Sequence, residues 1–396
     1  MQPPAVLATL FCFASMTLGH TWVEMLMRIS SKGTMIGIPG YPRGYVARSD
    51  PGFNDKEVLY QLPTPGTSGL IPQTAPISKF SSDKYTADRP MLQASPGEFI
   101  AMRYQENGHV SLPNNSPNKP LNRGTVYVYG TSQPSDDDTL LNIHKVWNLE
   151  GTGGDKRGVL LSTRHYDDGR CHQTNSGPIS TDRAAKFPKT ADNLQGTDLW
   201  CQTDVQLPSN IDIGSVYTLY WVWDWPTLDP ALINIQDTAN GNYPTQGGSV
   251  KIPEVYLSTA DVKIVSASSL TTRGDIQVMA AAASNTSPDT IGNAAIPEQL
   301  SNLFQVAVNS SSNNGSDGDK GVPTTTKPTV LPTPIKPSAT FVPSTFSMTT
   351  RSRPASKPTG KKLVTVTAAP VYVTSTVTIA LHTQAMSTII RRFSLL

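Results

Sequence analysis

The sequence predicts a mainly β protein, a two-sheet β-sandwich with long loops followed by a disordered Ser/Thr/Pro-rich tail. Three observations carry this expectation. Up to about residue 265, short apolar runs alternate with Gly, Pro, Asn and Asp punctuation, the pattern of strands and loops. Few segments show the 3.6-residue apolar period of a helix. Seven or so strand candidates with few helical patterns and long Pro/Gly loops favour a two-sheet sandwich over a parallel α/β sheet.

Residues 1–19, MQPPAVLATLFCFASMTLG, have an apolar centre and end in Thr17-Leu18-Gly19. Small residues at −3 and −1 are what signal peptidase accepts, so the chain is expected to be secreted, with cell-wall association as one destination. Residues 20–265 then form the sandwich and residues 266–396 the tail. Strands are expected at 20–29, 98–104, 125–129, 140–147, 158–163, 217–225 and 255–265. In the first, Thr21, Val23, Met25, Met27 and Ile29 share one face, and Trp22, Glu24, Leu26 and Arg28 the other. In the sixth, Trp221, Trp223 and Trp225 share a face. The loops 39–51 and 167–194 are long enough to be functional surface or irregular packing layers.

From residue 266 the chain turns to Ser, Thr, Pro, Ala and Asn, and 322–362 is rich in Thr and Pro. Such a composition buries too little apolar area to offset chain entropy, and it reads as a glycosylated stalk. Asn114, Asn285, Asn309 and Asn314 begin N-glycosylation sequons. Residues 364–381 alternate Thr with Val and Ile, as an isolated β segment does. The final residues lack the apolar tail of a lipid-anchor signal.

Charged residues make up 16% of the 396-residue chain and the formal net charge is +2, which gives no electrostatic pointer to nucleic acid. No stretch after residue 19 approaches the roughly 20 apolar residues of a transmembrane span. Cys12 falls in the signal, leaving Cys171 and Cys201. An even pair in a secreted chain is expected as a disulfide, contributing roughly 3 kcal/mol.

Cleavage after Gly19 would leave His20 with a free α-amine. Amine and imidazole of one residue can then chelate a metal together, which no internal histidine can do. If cleavage falls one residue away, His20 is an ordinary strand-start residue. His109 follows a glycine in Gln105-Glu-Asn-Gly-His-Val110, just after an expected strand. It can supply a third nitrogen, or be a hydrogen-bonded loop histidine. Three nitrogens in a tetragonal array suit copper, highest in the divalent affinity series. Glu254 and Tyr256 lie two apart at the start of the last strand and share a face. The phenol can fill an axial position, with the carboxylate beside it to hold an oxygen species; Gln105 and Glu106 are lesser candidates. In isolation, Glu-x-Tyr is a solvated pair.

A mature N-terminal His20, Gly108-His109 in a loop and Glu254-Val-Tyr256 on the final strand resemble the histidine brace of lytic polysaccharide monooxygenases. Pro39-Gly-Tyr-Pro-Arg-Gly44, Arg103–Val110 and Tyr220-Trp-Val-Trp-Asp-Trp-Pro226 resemble a large fungal group of secreted proteins of undefined function. Together the likenesses cover roughly residues 20–265. They imply an immunoglobulin-like sandwich, one copper ion per chain and a flat face for a chitin- or cellulose-like polysaccharide surface. They also imply an external electron donor or peroxide. The implied reaction removes hydrogen from a sugar carbon beside the glycosidic bond, after which the hydroxylated product breaks by elimination. A monomer is expected. Tyr41 and Tyr45 are the candidate sugar-stacking aromatics. The family has a cysteine three residues after the axial tyrosine, where this chain has Thr259.

Other chemistry-bearing residues have plainer readings. His144 alternates within an expected strand and reads as structural. His165, His172, Asp167, Asp168 and Cys171 suggest a metal cluster less than a disulfide-tethered polar loop. The run Asp136-Asp137-Asp138 reads as a solvated turn rather than a calcium site. The leading expectation is a copper-dependent monooxygenase. The alternatives are a secreted copper-binding protein without turnover, and a metal-free cell-wall protein.

Overall fold

The computed structural model of the chain describes residues 19–65, 67, 69–192, 194–244, 248–271 and 291–308, with the backbone of 363–367 and 376–380. The expected signal sequence, apart from Gly19, and the sequons at Asn285, Asn309 and Asn314 lie outside the described residues. So does most of the expected tail.

Two antiparallel sheets form the body. The first runs β2 (Met35–Gly40), β1 (Val23–Ile29), β5 (Phe99–Tyr104), β8 (Cys201–Gln206). The second runs β3 (Gln61–Leu62), β12 (Val255–Ile264), β9 (Val216–Asp224), β6 (Thr125–Thr131), β7 (Gly158–His165). β4 (Leu92–Ala94) adds a parallel pairing to the far end of β12. A small hairpin pairs β10 (Thr227–Leu228) with β11 (Val250–Ile252). The mainly β expectation therefore holds. Separately, β13 (Leu363–Thr367) pairs antiparallel with β14 (Thr376–Ala380), within the segment whose alternation suggested it.

The strand period sorts β9 cleanly. Tyr217, Leu219, Trp221 and Trp223 enter the core between the sheets, against Val23, Leu26, Met102 and Tyr104. Tyr220 and Val222 face outward into a second cluster, with Tyr129, Leu140, Ile143 and Trp147. That outer layer explains the one strand that does not form. Residues 140–147 contain a short helix, α2 (Leu140–Ile143), which lays Leu140, Ile143 and Trp147 over the outer face of the second sheet.

β1 departs from simple alternation. Its register with β5 slips between Val23 and Met25, so Val23 opposes Tyr104 and Met25 opposes Arg103. A bulge of this kind sets two residues against one and re-aims the side chains beyond it. Val23 and Leu26, three apart, consequently reach the same core.

The folded part extends beyond residue 265. Residues 291–308, expected in the tail, pack on the sandwich. Asp204 Oδ2 accepts from Ile296 N at 2.7 Å, Gln299 Oε1 accepts from Asp204 N at 2.6 Å, and Thr163 Oγ1 donates to Val306 O at 2.7 Å. Among the described residues no helix is long and apolar enough to cross a membrane.

Candidate functional site

The loop between β5 and residue 111 is built around a buried carboxylate. Glu106 accepts from Val110 N at 2.7 Å, Gln173 N at 2.6 Å and the Ser111 hydroxyl, while its carbonyl accepts from His109 N at 2.9 Å. Asn107 and Gly108 take left-handed φ values of 49° and 83°, and the glycine makes this double turn inexpensive. The turn delivers His109 inward. Glu106, expected as a lesser oxygen-positioning group, is instead consumed in closing this loop. Gln105 contributes its carbonyl, which accepts from Thr21 Oγ1 at 2.7 Å.

His109 is 6% exposed, and its Nε2 is buried with no well-formed hydrogen bond, the Gly19 backbone being the polar group beside the ring. The ring stands edge-on to Trp223 at 5.0 Å, Trp225 at 5.4 Å and Tyr256 at 6.1 Å between centroids. Burial, with the Lys119 ammonium adding to it, lowers its pKa to about 3. The imidazole is therefore neutral at ordinary pH, the form that binds metals. The Gly19 main chain passes beside it. A Cβ built on Gly19 would lie 3.3 Å from His109 Nε2 and 2.2 Å from the Asn107 carbonyl oxygen. The peptide joining residues 19 and 20 is thus next to this nitrogen.

His20 is half-buried, and its Nδ1 lies 2.9 Å from Asp55 Oδ2. Asp55 opens α1 (Asp55–Val58), which is N-capped by Asn54. Asp55 had no distinguishing signal in the sequence, and nothing in the pattern sets this short helix beside His20. The side-chain donor atoms of His20, Asp55 and His109 do not all fall within 4.8 Å of one another.

Glu254 and Tyr256 do share a face. The Tyr256 hydroxyl donates to Glu254 Oε1 at 2.9 Å, Gln61 Nε2 donates to the same oxygen at 2.8 Å, and Lys119 Nζ meets Oε2 at 2.6 Å. Lys119 also donates to Trp225 O at 2.7 Å and lies 4.7 Å from the centre of the Trp225 ring. This is a bonded network rather than a solvated pair. Burial foremost, and then the Glu254 charge, holds the phenol proton well above its usual range. Lys119 and Gln61, which complete the network, had no distinguishing signal in the sequence.

Tyr41 and Tyr45, the candidate sugar-stacking aromatics, pack against one another. Both are half-buried and stack on each other at 5.0 Å, with the Arg89 guanidinium 5.4 Å and 5.9 Å from their centres. The Tyr45 hydroxyl is spent on Glu24 at 3.1 Å.

Cys171 and Cys201 form the expected disulfide. Among the described residues the one acid, histidine or cysteine group close enough to share an ion is Asp168, Cys171 and Cys201, whose sulfurs are bonded to each other. Asp168 accepts from Cys171 N and Gln202 N, and Asp167 pairs with Arg183, as in a tethered polar loop. His165 bonds Asn122, and His172 bonds the Arg170 carbonyl. His144 meets the Tyr129 hydroxyl at 3.1 Å, a structural role reached from a helix end rather than a strand. Asp136 and Asp137 are exposed, whereas Asp138 is buried against the Tyr220 hydroxyl and Arg157, so only part of that turn is solvated. Thr259, where the resemblance has a cysteine, is buried with its hydroxyl unpaired.

No curated protein matches the chain. Residues 17–291, more than half of the sequence and including the two histidines and the Glu254–Tyr256 network, match a family described as a domain of unknown function, DUF7492. The protein belongs to the DUF7492 family.

Proposed function

We propose that the protein is a secreted copper protein of the histidine-brace kind that oxidises an insoluble polysaccharide of the chitin or cellulose type. The observation that carries this reading is His109 Nε2: neutral, buried, without a well-formed hydrogen bond, and beside the peptide whose cleavage frees the His20 amine. The donor set of two imidazoles and one amine, with the Asp55 carboxylate at hand, suits copper(II) better than a hard oxygen-seeking cation. When bound, copper supplies one-electron chemistry toward oxygen or peroxide, with electrons from an external donor. The chain's own residues shape the surroundings. Trp223, Trp225 and Tyr256 wall the His109 ring from water, and the Glu254 carboxylate, fixed by three donors, lies beside the phenol.

A chain beginning at His20, titrated with copper(II) and followed by electron paramagnetic resonance, tests the site. A tetragonal signal with three nitrogens is expected, and a chain retaining Gly19 should lose the amine contribution. Ascorbate with peroxide, supplied over chitin or cellulose, should then release oxidised oligosaccharides. Absence of copper uptake by the His20 chain would sink the reading.

A second reading keeps the ion and drops the turnover. Asp55 favours it, because its carboxylate already lies against His20 Nδ1, the ring nitrogen that would chelate with the amine, and would add an oxygen donor to the set. Copper uptake without oxidised products, together with open-site chemistry appearing in Asp55→Asn, would select it.

A further inference from the structure

The loop of residues 39–53 supplies none of the proposed donors, yet it sends one side chain to the amino-terminal residue. Arg48 Nη2 donates to the His20 carbonyl at 3.1 Å, and its Nε donates to Glu24 Oε1 at 2.7 Å. The guanidinium carbon lies 3.8 Å from the centre of the Trp22 ring and 5.9 Å from that of Phe53. Glu24 is 1% exposed and takes a second bond from the Tyr45 hydroxyl at 3.1 Å. The guanidinium is therefore fixed by a buried carboxylate and an aromatic face, and its Nη1 also lies 4.0 Å from Oδ1 of Asp55, the carboxylate that holds the His20 ring. A second donor, Asn107 Nδ2, reaches the same His20 carbonyl at 2.9 Å.

We propose that Arg48 is a positioning residue for the amino-terminal ligand: with Asn107 it clamps the His20 carbonyl, so that the freed amine is held toward His109. This rests on the copper reading. A chain terminus is poorly ordered unless it is tied down. Pinning the carbonyl from two sides fixes the peptide plane that follows His20 and leaves the amine a single rotation, about the Cα–C bond. A planar fork that stacks and donates in two directions is something arginine provides and lysine does not. Trp22 and Glu24 thereby acquire a purpose: they hold the clamp still. Tyr45 braces the same carboxylate through its hydroxyl.

The test uses the His20-initiated chain and its Arg48→Lys and Arg48→Met variants. Copper(II) affinity should fall about 10–100-fold, as when other groups that orient a ligand are removed. The resonance spectrum should become heterogeneous as the amine nitrogen is lost from part of the population. Without copper, the His20 ring and Thr21 amide should show greater motion by nuclear magnetic resonance. Thermal melting checks that the fold persists. If Arg48→Met fails to fold because Glu24 is left without its cation, Arg48→Lys decides, since it keeps that charge. Wild-type affinity, spectrum and His20 order in a folded Arg48→Lys would overturn the proposal. If the wild-type His20 chain itself takes up no copper, the underlying reading fails, and that control separates the two failures.

Discussion

The Tyr256 hydroxyl donates to Glu254 Oε1 across 2.9 Å from two positions further along the same extended segment. The carboxylate is the hub, because Gln61 and Lys119 converge on it as well. Its removal and removal of the phenol oxygen should therefore differ in cost. Tyr256→Phe deletes one of three donors, worth about 1 kcal/mol. Glu254→Leu leaves the buried Lys119 ammonium without its anion and should cost about 3 kcal/mol or more. Urea unfolding of both variants checks the order, and equal losses would contradict it.

His109 makes acid stability a reporter of the site. Its folded pKa of about 3 lies below the ordinary histidine value near 6.5. Between those values the unfolded chain binds a proton that the folded chain refuses, so stability is full above pH 6.5 and is lost as pH falls toward 3. The slope from this one group approaches about 1.4 kcal/mol per pH unit. His109→Leu should flatten that limb of a stability–pH curve and, under the copper proposal, abolish copper binding as well.

Much of the sandwich was legible because strands with one buried face alternate. β1, β5, β6, β7, β9 and β12 each fall within a residue or three of their expected spans. Residues 140–147 misled because Leu140, Ile143 and Trp147 are spaced for a helical turn, yet the apolar run is short enough to pass for a strand. β8, Cys201-Gln-Thr-Asp-Val-Gln206, was invisible for a different reason. Its outer face is polar but covered by residues 291–302, so Gln202 and Asp204 are buried. At the site, His20, His109, Glu254 and Tyr256 stood out as residue types with known uses. Asp55, Lys119 and Arg48 did not, since their importance lies in contacts 28 to 135 residues distant in sequence.

Asp204 should oppose His109 in sign. Burial raises its pKa to about 6, so the folded chain holds its proton more tightly than the unfolded chain. That contribution is complete below about pH 3.8 and is lost as pH rises through 6. Asp204→Asn removes this titration but sets an amide nitrogen against one of the two donors, Ile296 N or Gln202 Nε2, so its stability relative to wild type should be on the order of 2 kcal/mol more favourable at pH 7 than at pH 4. Thermal melts at the two pH values measure it; a change equal at both would contradict the argument.

The disulfide braces the loop that feeds Glu106. Cys171 lies two residues before Gln173, whose amide donates to the Glu106 carboxylate at 2.6 Å. Closing a separation of 30 residues is worth about 3–4 kcal/mol in the chain-entropy account. Cys171→Ser with Cys201→Ser should lose that much stability. Under the copper proposal, it should also weaken copper binding, through a looser turn at Asn107 and Gly108. Copper titration of the double variant below its melting temperature checks the second effect separately.

Truncation locates the end of the folded unit. Cutting after residue 265 removes Ala295 from its packing against Ile29, Met35 and Ala101. It also takes the Ile296 amide from Asp204 and the Gln299 and Asn302 carbonyls from Arg164. Each lost bond is worth about 1 kcal/mol, and more where a charged group is left buried. A chain of residues 20–265 should therefore melt about 10 °C or more below a chain of residues 20–308. Equal melting of 20–265 and 20–308 would show that the polar face of β8 tolerates exposure, and that the segment contributes nothing to the fold.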